Sequence, residues 1–257
     1  MFELREYSVD EVPVASWAIK RALEYMANIE KEWAPTPAIV LNGPANTTID
    51  VNLYTQHINR DFWAARVSYH QQQSYGKFRK YLMENHTANE ARYIESIESY
   101  RVLTVPPILT DWNSAVVRYR LPGPLSARDM AIWLTAQETV PEKQFLVLSL
   151  PRRIPVDATK GIYVSIELVE LLDNGTIKWT MAQTSDAGGW LPKWAQRKAI
   201  ATEIAKDVPT FLTWLRFQPP KLNGDPDHKE EEPKRKKSLS ISSRSRRSRM
   251  SSRSSIH

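Results

Sequence analysis

The spacing of hydrophobic and polar residues predicts β-strands that lead into one long helix near the end of the chain. Residues 177–182 alternate between the two kinds of side chain, with the two-residue period of a half-buried strand, and the strand pattern is broken at Asp186. After a glycine-containing break, Pro192 stands where a helix can begin, because a proline in the first turn forfeits no hydrogen bond. Apolar residues then recur at helical spacing from Ile200 to Leu215. Pro209 lies inside this pattern and predicts a kink or a break.

Earlier parts of the chain contain further strand and helix patterns. A helix is predicted from Pro13 to Trp33, and a two-part helical insert from Ser74 to Ser99. The stretch from Tyr93 to Leu103 suits helix and strand equally. The predicted strands lie at residues 48–56, 62–70, 112–121, 130–138, 144–150 and 161–172. Asp173-Asn174-Gly175 is a strong hairpin signal, which connects the last of these strands to the strand that begins at Ile177.

Composition excludes several kinds of protein. The 257 residues are 42% hydrophobic and include nine Trp, which is ample for a sizeable core. There is no Cys, hence no disulfide framework, thiol nucleophile or thiolate metal site. No run of about 18 apolar residues is present, so no transmembrane helix is predicted. The charged N-terminus has no signal-peptide core, and these features together favour an intracellular, cytoplasmic location.

Two short motifs stand out. Residues 119–129, Tyr-Arg-Leu-Pro-Gly-Pro-Leu-Ser-Ala-Arg-Asp, combine a strand end, a proline turn and an Arg-Asp pair. Residues 184–194, Thr-Ser-Asp-Ala-Gly-Gly-Trp-Leu-Pro-Lys-Trp, form a glycine-rich junction into the long helix. With the order of elements, both resemble the START-like superfamily of helix-grip folds, related in shape to the birch-pollen allergen. Residues 62–70 and 86–93 more narrowly resemble a fungal START-like family of undefined function.

The resemblance implies an α+β helix-grip fold, in which a curved antiparallel β-sheet wraps around the long C-terminal α-helix, with the helical insert after the second strand. It covers residues 10–218, which we expect to form one START-like domain that binds a hydrophobic ligand. The implied function is binding, and by extension transfer, of a lipid or other apolar small molecule in an internal cavity, without catalysis. The alternatives are an enzyme of the same superfamily, cyclase- or hydrolase-like, that acts on an apolar substrate, and a regulatory scaffold with a basic tail.

Candidate residues for the cavity follow from the resemblance and from the strand and helix patterns. The apolar candidates are Trp133, Phe145, Val147, Tyr163, Trp179, Met181, Phe211 and Leu215. Taken one at a time, each of these residues is more simply interpreted as an ordinary core residue. Arg66, which shares one strand face with Ser68 and His70, and Arg118 are candidate anchors for a headgroup or carboxylate, or else ordinary ion-paired strand residues. The adjacent Arg128 and Asp129 are expected to form a structural ion pair.

No catalytic residue, cofactor or metal site is predicted. His86 and Glu90, four apart on a helix, are too few ligands for a metal ion and are expected to form a hydrogen bond on the helix surface. His70 near Arg66 is a candidate proton shuttle, but no nucleophile or orienting carboxylate accompanies it. Phosphate-binding glycine motifs are absent from the sequence.

The excess of positive charge is confined to the end of the chain. Residues 221–257 hold eleven Lys or Arg and five Asp or Glu, whereas residues 1–220 hold 24 of each. The neutral body gives no indication of nucleic-acid binding. Residues 219–257 are expected to be a disordered basic Arg/Ser-rich tail, suited to nuclear localisation, to RNA or to an anionic membrane surface. Of these roles the membrane is favoured, and the sequence does not indicate an oligomeric state.

Overall fold

The computed structural model describes residues 2–219, and residues 220–257 of the predicted tail lie outside them. The helices in the described part are α1 Ala15–Met26, α2 Ile29–Glu32, α3 Tyr75–Phe78, α4 His86–Tyr93 and α5 Lys193–Leu215, with a π-helical turn at Arg79–Met83 and 3₁₀ turns at Pro44–Asn46 and Pro107–Leu109. The strands are β1 Ala34–Asn42, β2 Thr48–Ile58, β3 Asp61–His70, β4 Ile97–Val102, β5 Asn113–Tyr119, β6 Arg128–Val140, β7 Gln144–Pro151, β8 Thr159–Lys160, β9 Ile162–Leu171 and β10 Ile177–Asp186. The predicted α+β class is confirmed.

One sheet includes all ten strands of residues 2–219, in the order β1-β2-β3-β10-β9-β7-β6-β5-β4, with β8 beside β6. Neighbours pair antiparallel, except that β8 runs parallel to β6. The last strand is inserted between β3 and β9, so the helix that follows it lies over one face of the sheet. There α5 packs against β1, β2, β3 and β10, while α1 packs against β7 and β9.

Side-chain alternation divides β3 between two buried cores. Trp63, Ala65 and Val67 pack with α1 in one core, and Arg66 and Ser68 face the opposite side, toward α5. The predicted sidedness of this strand is therefore confirmed. Helices cover both faces of the sheet, so neither face of its central strands is a solvent face.

The hydrophobic pattern does not predict the two edge strands. β1 contains Pro35 and Pro37, which signal a break in a sequence but fit at the edge of a sheet, where one side of the strand needs no hydrogen bonds. In place of the single helix predicted over residues 13–33, the structure has two shorter helices, α1 and the one-turn α2. The stretch after Tyr93, whose pattern suits helix and strand equally, contains the strand β4. Because β1 precedes it, the helical insert follows the third strand, and the expectation that it follows the second is wrong.

α5 is one helix of 23 residues that continues through Pro209, so the helix does not break there, and the kink that was the alternative stays a prediction. The hydroxyl of Thr210 donates a hydrogen bond to the carbonyl oxygen of Lys206 at 2.8 Å, which adds a side-chain bond next to the turn where the proline removes a backbone donor. The buried stripe of the helix consists of Ile200, Ile204, Ala205, Val208, Phe211, Leu212 and Leu215. This stripe attaches α5 to the sheet.

The two sequence motifs meet in space at the β10–α5 junction. The guanidinium of Arg128 donates to the carbonyl oxygen of Ala187. Gly188 has φ +63°, and a Cβ on it would lie 2.1 Å from the carbonyl oxygen of Lys160, so only glycine fits. The expected Arg128–Asp129 pair is wrong, because adjacent strand residues point to opposite faces. Asp129 instead accepts two hydrogen bonds from Arg118, at 2.7 and 2.8 Å.

Candidate ligand site between the sheet and the C-terminal helix

Aromatic rings occupy the space between α5 and the sheet. Phe211 of α5 is their centre, with ring centroids 5.2 Å from Phe78, 5.2 Å from Trp179 and 5.3 Å from Tyr93. All four side chains are buried. Aromatic contacts at these distances are individually favourable and together bury a large apolar area. The interior on this side of the sheet is therefore strongly apolar.

A fully buried arginine lies in that apolar interior. Arg66 of β3 has no exposed surface, and its guanidinium carbon lies 3.9 Å from the ring centroid of Trp179. Strand pairing places Arg66 and Glu167 on either side of Met181, in one row across three strands. Their closest atoms, Arg66 Nη2 and Glu167 Oε1, are 3.4 Å apart. Burial lowers the pKa of Arg66 and raises the pKa of Glu167.

Several polar atoms of this pair lack hydrogen-bond partners among the described residues. They are Nε and Nη1 of Arg66 and Oε2 of Glu167, and the indole nitrogen of the neighbouring Trp179 is also unpartnered. A buried polar atom without a partner costs on the order of 1–3 kcal/mol. Two donors of Arg66 and one acceptor of Glu167 are thus available to a guest molecule or to water.

A second polar group approaches the pair from the helical insert. His86 and Glu90, one turn apart on α4, are joined by a 3.3 Å contact between Nε2 and Oε1. His86 Nδ1 lies 2.6 Å from the carbonyl oxygen of Leu82. His86 is only 6% exposed, so the expectation of a hydrogen bond on the helix surface is wrong. Burial alone lowers the pKa of His86, but the Glu90 carboxylate and the Leu82 carbonyl outweigh it and raise the pKa to about 9.

The interior has no surplus of positive charge. Asp207 of α5 faces the same cluster, and burial raises its pKa to about 8, against the opposing effect of Arg66. The cluster therefore contains two basic side chains and three acidic ones: Arg66, His86, Glu90, Glu167 and Asp207. Any additional anion would enter a site whose cations already face carboxyl groups.

The unfolding free energy is expected to fall as the pH rises from about 6.5 to 9. His86 holds its proton more tightly in the folded protein, so its contribution is complete below the unfolded pKa of 6.5 and is lost as the pH passes through about 9. Asp207 acts in the same direction up to about pH 8, because it too gains affinity for its proton on folding. The loss should be on the order of 3–5 kcal/mol, since one pKa unit corresponds to about 1.4 kcal/mol and the pKa of His86 alone rises from 6.5 to about 9.

Denaturant titrations of the wild-type protein and of His86→Gln between pH 6.5 and 9 measure this effect. The variant should lose most of the slope above pH 8, whereas His57→Gln, at an exposed histidine, should keep the wild-type slope. An unfolding free energy that stays constant or increases over this interval would contradict the assigned direction.

Most of the predicted cavity residues face this interior. Phe145, Val147, Tyr163, Trp179, Met181, Phe211 and Leu215 are buried on the side of the sheet that α5 covers. Arg118 and Trp133 do not: the Trp133 indole donates to the carbonyl oxygen of Tyr7 in the core beneath α1, and Arg118 binds Asp129. Their assignment to the cavity is wrong: β6, which carries Trp133, is apolar on both faces and its period does not show which face is inside, and on β5 it is Ala115 and Val117 that face the interior, so Arg118 points to the other side.

Sequence reasoning missed Glu167 and Asp207, and the pattern around Glu167 indicates a solvent-facing residue. In β9 the apolar residues Val164, Ile166 and Leu168 alternate with polar ones, which is typical of a strand with one solvent face. The apolar face packs on the α1 side, so the polar face, with Glu167, is the one that lies under α5. Asp207 is a single acidic residue in the helix pattern, and nothing in that pattern indicates that it is buried.

Two pockets lie away from this cluster. One, of about 40 Å³, is lined by residues of β3, the end of β10 and the start of α5, with Arg60, Asp61, Lys193 and Arg197 among them. The other, of about 270 Å³, lies along α1 beside Trp17. Neither is lined by Arg66 or Glu167.

The described residues lack two other kinds of feature. No helix within residues 2–219 combines the length and hydrophobicity needed to cross a bilayer. In the same part of the chain, no group of three or more His, Asp or Glu side chains is arranged to hold a metal ion.

Comparisons with known proteins agree with this architecture. A family model described as "Protein of unknown function (DUF3074)" matches residues 63–215, more than half of the chain. A search of curated proteins found no match.

Several solved structures have the same fold. Human STARD10 is 12% identical over 80% of each chain, with a TM-score of 0.63. Human StAR-related lipid transfer protein 5 is 9% identical over 78% of this chain and 95% of its own, with a TM-score of 0.55. A STAR-related lipid transfer protein fragment from Xanthomonas axonopodis is 13% identical over 70% and 99%, with a TM-score of 0.53. The predicted START-like helix-grip fold is thus confirmed.

Proposed function

The chain belongs to the DUF3074 family of proteins of unknown function, and from its START-like fold and interior we propose that it binds a lipid or similar apolar molecule between α5 and the sheet. The observation that carries the proposal is Arg66, wholly buried among aromatic rings with two donor nitrogens unpartnered. A core that served stability alone would gain nothing from such a residue, since replacing buried charges with apolar side chains is often neutral or stabilising. A guest with one polar group would satisfy these donors.

The proposed binding residues share one side of the sheet. Arg66 and Glu167 hold the polar group of the ligand, and the apolar body contacts Phe145, Val147, Tyr163, Trp179, Met181, Phe211 and Leu215. The names of the similar structures, as lipid transfer proteins, support a lipid as the class of ligand. Binding requires no catalytic group, and we propose that this chain acts without catalysis. Transfer between membranes is an extension of the same proposal.

We propose further that the polar group of the ligand is neutral. Arg66 offers donors and Glu167 offers an acceptor, and a hydroxyl group can accept from the one while it donates to the other. A carboxylate or phosphate would bring another negative charge beside the carboxyl group of Glu167, and it would lack a proton to donate to that group. An alcohol therefore fits the site better than an acid of the same chain length.

Native mass spectrometry of the purified protein, exposed to a total lipid extract, tests the function. A retained lipid mass is expected, and failure to retain any lipid from several extracts would refute the proposal. Titration with hexadecanol, hexadecanoate and hexadecylamine then tests the polar group. The alcohol should bind at least tenfold more tightly than the acid, which corresponds to about 1.4 kcal/mol; tighter binding of the acid would refute a neutral group.

Two variants locate the site. Glu167→Gln keeps a hydrogen-bonding group in place and should weaken binding of the alcohol while the fold persists, because the amide alters the acceptor that the hydroxyl needs. Arg118→Gln is the matched control on the opposite side of the sheet, where the guanidinium binds Asp129, and should bind the alcohol as the wild type does. Equal affinity of all three proteins would show that the ligand binds elsewhere.

A further inference from the structure

Two exposed tryptophans flank the first residue of α5. Trp190 is 74% exposed and Trp194 is 73% exposed. The cationic side chains of Lys193, Arg197 and Lys198 are exposed beside them. We call these five residues the Trp190–Lys198 surface. Large aromatic side chains seldom remain this exposed without a partner, so the surface requires an explanation.

The Trp190–Lys198 surface combines apolar and positive groups on one side of the helix. Trp194, Arg197 and Lys198 are spaced i, i+3 and i+4, which places them on one helical face. Within residues 2–219, none of the three cations of the surface forms an ion pair. No acidic residue occurs from 187 to 202.

The nearest carboxylates are already engaged by the backbone. Asp61 accepts a hydrogen bond from the amide of Leu4 at 3.2 Å, and Asp186 accepts one from the amide of Gly188 at 2.8 Å. Both line the 40 Å³ pocket together with Lys193 and Arg197, without a direct ion pair. The exposed cations therefore remain available to an external anionic partner.

We propose that the Trp190–Lys198 surface docks on an anionic lipid bilayer. Tryptophan is enriched at the membrane–water interface, where its ring is buried while its N–H stays hydrated. Lys and Arg beside it attract the negative headgroups. The adjoining pocket of about 40 Å³ is too small to receive a large side chain from a protein partner. Charge complementarity and the pairing of Trp with unpaired cations thus select a bilayer as the occupant.

This docking surface is independent of the interior site, since it shares no residue with the Arg66 cluster. It is also distinct from the predicted basic tail. Docking would bring the start of α5, the helix that covers the interior, against the lipid headgroups. A protein that failed to bind any lipid in its interior would still be expected to bind vesicles through this surface.

Vesicle sedimentation of the full chain tests the proposal. Vesicles of phosphatidylcholine alone are compared with vesicles that contain 30% phosphatidylserine, at 0.1 M and 0.5 M NaCl. The unaltered protein should prefer the anionic vesicles. Trp190→Ala with Trp194→Ala should lower the partition coefficient at least tenfold at both salt concentrations, because salt does not screen the apolar contribution of the two rings. The tail is the same in both proteins and does not account for the difference. Lys193→Gln with Arg197→Gln and Lys198→Gln should lose binding mainly at 0.1 M.

Trp17→Ala is the matched control, since Trp17 is an exposed tryptophan on α1 at 56%, and it should bind vesicles as the unaltered protein does. Thermal unfolding of each variant shows whether it is folded. Partition coefficients of the double tryptophan variant within twofold of those of the unaltered protein would overturn the proposal. Equal losses for Trp17→Ala, or binding of the unaltered protein to neutral and anionic vesicles alike, would also overturn it.

Discussion

Replacing Arg66 with Met is expected to destabilise the protein by about 3–5 kcal/mol, because it leaves the buried carboxyl of Glu167 without its cation. Chemical denaturation at pH 7 measures the loss. The loss should become smaller as the pH is lowered, since burial raises the pKa of Glu167 and the protonated carboxyl carries no buried charge. The sign follows from linkage: a carboxyl whose folded pKa is raised destabilises the protein increasingly as the pH rises above its unfolded pKa.

The paired variant Arg66→Met with Glu167→Met should recover most of that stability, because both charges leave the interior together and Met fills similar volume. The double-mutant cycle would then report a coupling energy of roughly 2 kcal/mol or more between the two residues. Arg118→Met is the control: its partner Asp129 also accepts from the amide of Ala158, and the arginine is 37% exposed. A loss of less than about 1 kcal/mol for Arg66→Met would show that Glu167 does not depend on it.

Phe211→Ala should cost about 3–5 kcal/mol, as expected when a large aromatic side chain is deleted from a packed core. Phe211 has no exposed surface and lies within ring contact of Phe78, Tyr93 and Trp179. Its removal opens a cavity at the centre of the contact between α5 and the sheet. The transition midpoint in denaturant should fall with little change in slope, since the same surface is exposed on unfolding.

Two further substitutions calibrate the Phe211 measurement. Phe211→Leu should cost roughly 1–2 kcal/mol, because less volume is lost and the cavity is smaller. Phe217→Ala, at a phenylalanine that is 79% exposed, should change the unfolding free energy by less than about 0.5 kcal/mol. If Phe211→Ala cost no more than Phe217→Ala, α5 would not be held to the sheet through this aromatic cluster.

Local pattern was sufficient for most elements but not for the edge strands. Residues 62–70 alternate regularly and became β3 close to the predicted bounds, and the alternation of residues 177–182 predicted β10, which extends to Asp186. β1 was missed because its prolines are breakers in a central strand and acceptable only at a sheet edge. Whether a strand is at an edge depends on the pairing of the whole sheet, which local spacing does not contain.

The candidate site was predicted in part for a similar reason. Alternation placed Arg66 on one face of β3 and identified Trp179 and Met181 as inward-facing, and the structure agrees. The same reasoning failed for Trp133, because β6 is apolar on both faces, and it overlooked Glu167. A polar residue in an alternating strand normally faces water, and here it does not.

The sequence by itself determined the strands other than the edge strands, the final helix, the START-like motifs at residues 119–129 and 184–194, and the charge asymmetry of the chain. Only the tertiary structure decided which face of each strand is the interior beneath α5. The physical reason is that α1 and α5 cover opposite faces of one sheet. Both faces are therefore buried, and an arginine and a glutamate from β3 and β9 meet in an aromatic interior instead of in water.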